Sequence, residues 1–424
     1  MPRVAYVSPM PPARTGIASY SGSVLRSLGR TGYLRRRDVD VVWPVKPKHD
    51  VTIRRYRLGV YHVGNNAQFH GDIYRLASLH PGLVVMHDLG LDDLVRALVA
   101  SGDALGFRAG REALLRSERM TLPEARENEP LRWPWCAHIA RAARGIIVHS
   151  EFGRRYLEDF GCRTPIFVVP HPVVESGANV RAAAATGAGF RTTLDLTSDD
   201  VLVVAPGDLN PAKQFEAVVD AVARCDANVH LALVGRRIPT WDPDPVLAAS
   251  GLGRRVHLAT DVSDEEFLGW LHAADVVVDL RFPHRGEVSG TLIRAMQVGR
   301  PCVVSGVGTY LDIADDVVVH VPAGKPDPAQ LASVFAGLAV DRDRRTRLGE
   351  RARAHLHATA GGDRTAQGYE RAIESTLALA LDPRRLALTR WARALSEIGV
   401  TNDMLEEDFG LGYVRGLDDL APKR

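Results

Sequence analysis

The sequence from Leu280 to Thr291 places polar side chains and glycines directly before a predicted helix. A hydrophobic strand ends at Leu280, a polar loop follows, and helical periodicity resumes near Thr291. The first amides of a helix lack partners and lie at the positive end of its dipole, so they can hold an anion. Gly290 would let a phosphate approach closely, and Ser289 or Thr291 would add a hydroxyl donor. The segment therefore predicts a phosphate-binding turn.

Glu287 stands just before this turn. A carboxylate there is placed to accept hydrogen bonds from the hydroxyls of a sugar attached to the phosphate. A second interpretation is purely structural: Ser289 caps the helix, and Glu287 stabilises its positive end.

Other strand ends carry cations and glycines. Lys213 follows the first predicted strand of the second half, where it would place a point charge on a diphosphate. Arg236 follows the next strand. In the first half, Gly16 lies in a loop that opens a helix after the first strand. The carboxyl ends of parallel strands face one crevice, so these residues are expected to meet there.

Polar residues of the first half form a second group. His87 ends the fourth predicted strand, and Asn65, Asn66 and His70 follow the third. His87 is expected either to contact a ligand in the crevice or to be a hydrogen-bonded strand-end histidine. The other three either contact a ligand or cap the helix that follows them.

The elements that must position these residues form two series of alternating strands and helices, the pattern of a parallel sheet. The first series of strands is predicted at 4–7, 39–43, 58–63, 83–87, 145–149 and 166–169, and the second at 201–205, 230–234, 256–258, 276–280, 302–305 and 317–321. Residues 176–190 are rich in Ala and Gly, hold little that could form a core, and are interpreted as a connecting segment. The sequence thus predicts an α/β protein of two doubly wound domains around a cleft.

This pattern divides the chain into five predicted parts. They are a first domain at 1–178, a linker at 179–198, a second domain at 199–360, a helical segment at 361–382, and a tail at 383–424 with an amphipathic helix at 386–398.

The arrangement resembles glycosyltransferase family 4, retaining enzymes of the GT-B fold. The resemblance covers roughly residues 2–380 and is strongest at 275–308, where Gly286-Glu287-Val-Ser289-Gly290 is similar to the turn in a bacterial subset. It implies that Glu287 contacts the donor hexose, and that Gly286, Ser289, Gly290 and Thr291 hold the diphosphate.

The same resemblance implies that the domain at 1–178 binds the acceptor, with Asn65, Asn66 and His70 as candidate contacts. It implies that the domain at 199–360 binds the donor and that the helix at 361–382 returns to the first domain.

The resemblance also assigns further roles. Lys213 matches the family lysine on the diphosphate, Gly16 the glycine loop that closes on the phosphates, and His87 the histidine near the anomeric centre. Arg294 stands where the family has a ribose-binding glutamate. Asp208 stands where an arginine is usual, and Arg281 or Arg236 is expected to supply that charge.

The implied reaction transfers a hexose from a UDP- or GDP-sugar to a glycan, lipid-linked or small-molecule acceptor, with retention and without a cofactor. Two alternatives remain: a nucleotide-sugar epimerase and a non-catalytic sugar-nucleotide binding protein. No metal site is expected, because the Asp-x-Asp motif at Asp242 and Asp244 lies in a proline-rich loop.

Composition limits the other functions. With 53 Lys and Arg against 51 Asp and Glu, the net charge of +2 gives no basic field for nucleic acid. The four cysteines lack metal-ligand spacing and are expected to be reduced. The sequence shows neither a signal segment nor an apolar run long enough to span a membrane, so a cytoplasmic location is expected, with peripheral contact at the inner membrane face left open.

Overall fold

The computed structural model describes residues 3–13, 15–173, 177–239 and 241–379. The first half holds a parallel six-stranded sheet of order β2-β1-β3-β4-β5-β6. Its strands are β1 Val4–Val7, β2 Val39–Val42, β3 Leu58–Val63, β4 Leu83–Met86, β5 Gly145–Val148 and β6 Ile166–Val168. Strands β1, β3, β4 and β5 are buried along their whole length, as continuous apolar runs between helical layers should be.

Ten helices connect or cover these strands. They are α1 Gly16–Arg30, α2 Tyr33–Arg36, α3 His49–Thr52, α4 Ala67–Leu79, α5 Asp92–Ala100, α6 Ala104–Ser117, α7 Pro123–Glu127, α8 Glu129–Arg132, α9 Ala137–Ala142 and α10 Glu151–Asp159. Five of them, α5 to α9, lie between β4 and β5.

The segment interpreted as a connection without a core is instead a helix, α11 Gly177–Thr193. It packs against α14 Asp264–Ala273, and a Cβ built on Gly187 would lie 2.6 Å from the carbonyl oxygen of Gly269. Phe190 stacks on Trp270 with ring centroids 4.5 Å apart. The Ala- and Gly-rich composition therefore permits close helix packing. A segment with few large side chains can still bury one face against another helix.

The second half repeats the architecture with sheet order β12-β11-β10-β7-β8-β9. Its strands are β7 Val201–Pro206, β8 Val229–Gly235, β9 Val256–Thr260, β10 Val276–Asp279, β11 Cys302–Ser305 and β12 Val319–Val321. The remaining helices of this half are α12 Phe215–Ala223, α13 Asp244–Ala249, α15 Gly290–Val298, α16 Pro328–Val340 and α17 Arg342–Ala360. Buried side chains fill both faces of this sheet.

Helix α18, Arg364–Ala378, follows the second half and packs on the first. The hydroxyl groups of Tyr369 and Tyr20 are 2.8 Å apart, and Thr31 donates a hydrogen bond to Glu370 at 2.6 Å. Residues Met1–Thr376 thus form one compact unit. The predicted tail at 383–424, with its helix at 386–398, lies outside the described residues.

Candidate functional site

The strand orders place one crevice in each sheet. In the second sheet β7 and β10 are neighbours, and the next strands, β8 and β11, lie on opposite sides of this pair. In the first sheet β1 and β3 are neighbours, and β2 and β4 lie on opposite sides of them. Ligands of doubly wound sheets bind at such points. The loops after β7 and β10 contain Lys213 and Glu287, two of the predicted site residues.

The amino terminus of α15 borders open space. Ser289 caps the helix, since its Oγ accepts a hydrogen bond from the amide of Leu292 at 3.2 Å. A Cβ built on Gly290 would find only His171 within 4 Å, with Nε2 at 3.9 Å. The helix therefore presents an uncovered turn to His171 of the first half, and the capping interpretation of Ser289 is compatible with anion binding there.

Lys213 lies beside this turn but is already paired. It is 4% exposed and donates to Oδ1 of Asp279, whose Oδ2 accepts from Tyr310 at 3.0 Å. A Cβ on Gly207 would lie 3.0 Å from Nζ of Lys213 and 3.7 Å from Oγ1 of Thr291. Lys213 and the start of α15 thus meet over Gly207, whose φ of 121° disfavours any larger residue.

Glu287 is held by donors on both carboxylate oxygens. Arg281 donates to Oε1 at 2.8 Å, and the amide of Arg285 donates to Oε2 at 2.7 Å. Burial raises the pKa of Glu287, but the positive charge of Arg281 and the backbone amides lower it by more, so this carboxylate is ionised.

Buried His284 fixes the turn that carries Glu287. Its Nδ1 accepts from the amide of Gly286 at 2.8 Å, so a neutral ring carries its proton on Nε2 and donates it to Thr309 at 3.2 Å. Thr309 in turn donates to the carbonyl oxygen of Glu287 at 2.7 Å. Burial lowers the pKa of His284, which agrees with a neutral ring.

Asp88 lies on the first-half side of the same site. Its Oδ2 accepts from the amide of Asn65 at 2.8 Å. Burial, followed by the nearby charge of Glu287, raises the pKa of Asp88 well above its usual range. Of these two carboxylates, Asp88 is therefore the one that holds a proton more readily.

The loop around Arg285 is docked on the first half. Its carbonyl oxygen accepts from the amides of Leu89 and Gly90 at 2.7 and 2.9 Å, and its guanidinium binds Asp92 at 2.9 Å. The side-chain nitrogen of Asn128 donates to the carbonyl oxygen of His284. The backbone amide of His284 donates to the side-chain oxygen of Asn128 at 3.0 Å. The position of Glu287 consequently depends on both halves.

Four histidines and a tyrosine form a cluster at the carboxyl ends of the first sheet. The ring of Tyr20 lies 5.9, 4.7, 5.0 and 4.9 Å from those of His62, His87, His149 and His171. His62 and His87 share a hydrogen bond of 3.0 Å. Burial lowers the pKa of all four histidines. His87 thus lies in this neutral cluster, and its part in binding a sugar stays a prediction.

Two arginines of the predicted site are also paired. Arg236 binds Asp208 through two hydrogen bonds of 2.6 and 2.8 Å. Arg294 lies 3.3 Å from Asp264 and 5.4 Å above the ring of Phe267.

Gly16 begins α1, and a Cβ built there would find no atom of the described residues within 4 Å. Two amides of this helix start are occupied, because Oγ1 of Thr15 accepts from Ile17 and Ala18 at 3.1 and 3.4 Å.

The predicted acceptor residues have structural contacts. The side chain of Asn65 accepts from the amide of Leu94 at 3.1 Å, and Asn66 caps α4. His70 is 1% exposed and donates to the carbonyl oxygen of His62 at 3.0 Å. The structure thus matches the capping alternative for Asn66 and keeps the ring of His70 out of the open crevice.

The exposed carboxylates of the Asp-x-Asp motif pair with Arg237. Arg237 lies 3.1 Å from Asp242 and 2.6 Å from Asp244. Over the described ranges, no three His, Cys, Asp or Glu side chains are grouped closely enough to hold a metal ion. No described helix is long and apolar enough to cross a membrane.

Sequence reasoning missed several residues of the site. Asp279 lies within the predicted strand at 276–280, and neither it nor His171 was predicted as a site residue. A buried acid at the end of an apolar strand, and a histidine at the same point of β6, were the available signals. Their partners, Lys213 and Gly290, are too distant in sequence for spacing to identify.

Comparison with known families finds a match in the second half of the chain. Residues 200–341 match the family model described as Glycosyl transferases group 1. A D-inositol 3-phosphate glycosyltransferase of Nocardia farcinica (strain IFM 10152) is 28% identical over 230 residues, covering 51% of this chain and 49% of that protein. The alignment thus spans about half the length of this curated relative.

Solved structures match nearly the whole chain. Anabaena Alr3699/HepE in complex with UDP and glucose is 14% identical with a TM-score of 0.61, covering 88% of this chain and 100% of that one. Sucrose-phosphate synthase (tll1590) from Thermosynechococcus elongatus is 19% identical with a TM-score of 0.63, covering 90% and 100%. At these identities the likeness shows the fold. The predicted fold class, two Rossmann-like domains of the GT-B type with a C-terminal helical extension, is confirmed.

Proposed function

We propose that this chain transfers a hexose from a nucleoside diphosphate sugar to an acceptor hydroxyl, with retention of the anomeric configuration. The observation that carries the proposal is the position of ionised Glu287 directly before the open amino terminus of α15. A diphosphate on the amides of α15 would leave its sugar within reach of this carboxylate.

The comparisons support the donor class. One neighbouring structure is described as a complex with UDP and glucose, and the family match covers the half that contains Glu287 and α15. We take a UDP- or GDP-sugar as the donor of this chain.

The reaction requires orientation more than acid–base chemistry. The bond between the anomeric carbon and the phosphate oxygen breaks, the nucleoside diphosphate leaves with the electron pair, and the acceptor oxygen bonds to the same face. The acceptor proton passes to the departing phosphate oxygen. Glu287 orients the sugar, while the α15 amides and the Lys213–Asp279 pair stabilise the diphosphate.

The proposed site uses backbone amides and cationic side chains in place of a metal ion. The only sequence motif suggestive of a metal, Asp242 with Asp244, is paired with Arg237. Transfer is therefore expected to continue in the presence of EDTA.

One observation favours a second candidate, a nucleotide-sugar epimerase. The negative charge of Glu287 helps to raise the pKa of Asp88. Two neighbouring carboxyl groups with different pKa values can act as the acid and the base of one reaction. Such an enzyme would isomerise a donor without any acceptor.

A panel of UDP-, GDP- and ADP-sugars separates these functions. Transfer is expected to appear as nucleotide release that depends on glycan or lipid-linked acceptors, with the product linkage read by NMR. An isomerised donor without acceptor would establish the epimerase. Tight binding without turnover would establish the binding protein, and an inverted linkage would remove the retaining mechanism.

A further inference from the structure

The cations that border the cleft in the donor half are already neutralised. Among the described residues, six Lys and Arg side chains lie on the loops after β7, β8 and β10 or on α15, and each is paired with a carboxylate. The pairs are Lys213 with Asp279, Arg236 with Asp208, Arg237 with Asp244, Arg281 with Glu287, Arg285 with Asp92, and Arg294 with Asp264. Releasing Lys213 to a phosphate would leave Asp279 buried and unpaired, which is costly.

His171 faces the open turn of α15 with an available nitrogen. Its Nδ1 lies 3.1 Å from the carbonyl oxygen of Pro172, which can only accept, so Nδ1 carries the proton of the neutral ring. The lone pair is then on Nε2, the atom 3.9 Å from the Cβ position of Gly290. A phosphate on the α15 amides would therefore meet this nitrogen.

The groups around His171 keep it neutral in the free protein. Tyr20 faces it from α1, His87 and His149 from the ends of β4 and β5, and Arg294 from α15. None of these is a carboxylate. Burial, then the neighbouring His149, lowers the pKa of His171, while the Nδ1 hydrogen bond opposes this only in part. An arriving diphosphate would supply the missing negative charge.

We propose that His171 takes up a proton from solvent when the donor binds, and that its imidazolium then holds the diphosphate against α15. This rests on the proposed function, because it assigns the diphosphate to that site. Nε2 changes from acceptor to donor, and no covalent bond changes. Donor binding thereby gains a cation that the resting cleft lacks.

Proton uptake is measurable without knowing the acceptor. UDP-glucose and GDP-mannose are suitable probes, because a diphosphate esterified at both ends does not titrate near neutral pH. Calorimetric titration in two buffers of different ionisation enthalpy, at several values between pH 6 and pH 8, gives the protons bound per donor. We expect uptake that approaches roughly one proton at the acidic end and declines as the pH rises.

The variant His171→Gln keeps a hydrogen-bonding side chain but cannot titrate. It is expected to bind the donor with proton uptake near zero and with affinity reduced on the order of tenfold at pH 6. His138→Gln is the matched control, because burial also lowers the pKa of His138, which lies on α9 against Tyr74. The control should keep the uptake of the natural protein.

Donor binding without proton uptake, or uptake that persists in His171→Gln, would overturn this inference and leave the proposed function intact. If no UDP-, GDP- or ADP-sugar binds the natural protein, the proposed function fails, and this inference fails with it. Folding of each variant is checked by its thermal melt.

Discussion

Lys213 has a structural partner in addition to its proposed role in donor binding. Its ammonium group and Thr291 of α15 both lie near Gly207, and its partner in the structure is Asp279. Both side chains are buried, so neither charge is solvated when the other is removed.

Replacing Lys213 by Met is expected to destabilise the fold by about 3–5 kcal/mol, because it strands the charge of Asp279. The double variant Lys213→Met/Asp279→Asn should recover most of this loss while remaining deficient in donor binding. Urea denaturation measures the first effect and donor titration the second. A stable single variant would contradict the buried ion pair.

Glu287→Gln is expected to lower the rate of transfer roughly 100-fold, because a misoriented sugar loses its alignment with the attacking hydroxyl. The exposed Glu265 of α14 offers a control, Glu265→Gln, that should leave the rate unchanged. Acceptor-dependent nucleotide release measures both. A near-normal rate for Glu287→Gln would remove this residue from the site.

At the level of elements, the loop from β10 to α15 is shaped by glycines that act differently. Gly286 has a φ of 80°, and a Cβ there would lie 2.6 Å from Leu89 of the first half. Gly290 has no such constraint, since its nearest neighbour would be at ordinary contact distance.

Gly286→Ala is therefore expected to lose about 1–3 kcal/mol of folding stability from backbone strain. Gly290→Ala should fold normally but bind the donor at least about tenfold more weakly, because its methyl group occupies the place of the phosphate. Gly110→Ala, on a helix face with open space, controls for the substitution itself. Unchanged donor affinity in Gly290→Ala would exclude this turn as the diphosphate site.

The sequence predicted the strands well, because short apolar runs bounded by glycine and charge leave little ambiguity. The predicted strands at 4–7, 58–63 and 302–305 coincide with β1, β3 and β11, and the others agree within two residues. Between β4 and β5, helices α7, α8 and α9 have only 5, 4 and 6 residues, which is too short for a helical period to be recognised in the sequence. The sequence predicted that the site lies at the ends of the strands. It did not predict the ion pairs of the site, because Lys213 and Asp279 are 66 residues apart and meet only in the folded chain.

At the level of the whole molecule, the buried histidines should make the protein sensitive to acid. Burial lowers the pKa of His70 to about 4, so the folded state cannot bind the proton that the unfolded chain takes up below about pH 6.5. Stability is thus complete above that value and is lost as the pH falls. Asp88 has the opposite effect on folding stability. Its pKa is raised in the folded protein, so the unfolded chain loses this proton at lower pH and becomes favoured as the pH rises.

For His70 alone the expected loss at pH 5 is about 2 kcal/mol. Replacing it by Gln removes the titration and should make the free energy of unfolding fall less steeply between pH 7 and pH 5. Urea denaturation at several pH values measures the slope. Equal slopes in both proteins would show that the ring of His70 is not kept neutral by burial.

The hydrogen bond between Tyr20 and Tyr369 has a consequence for synthesis of the chain. The two residues are 349 positions apart, so a ribosome needs roughly 20 to 70 s to make the second after the first. During that interval the strands of the first half exist without α18, while the second half is being translated as far as α17. The half that is translated first is therefore the one that finishes folding last.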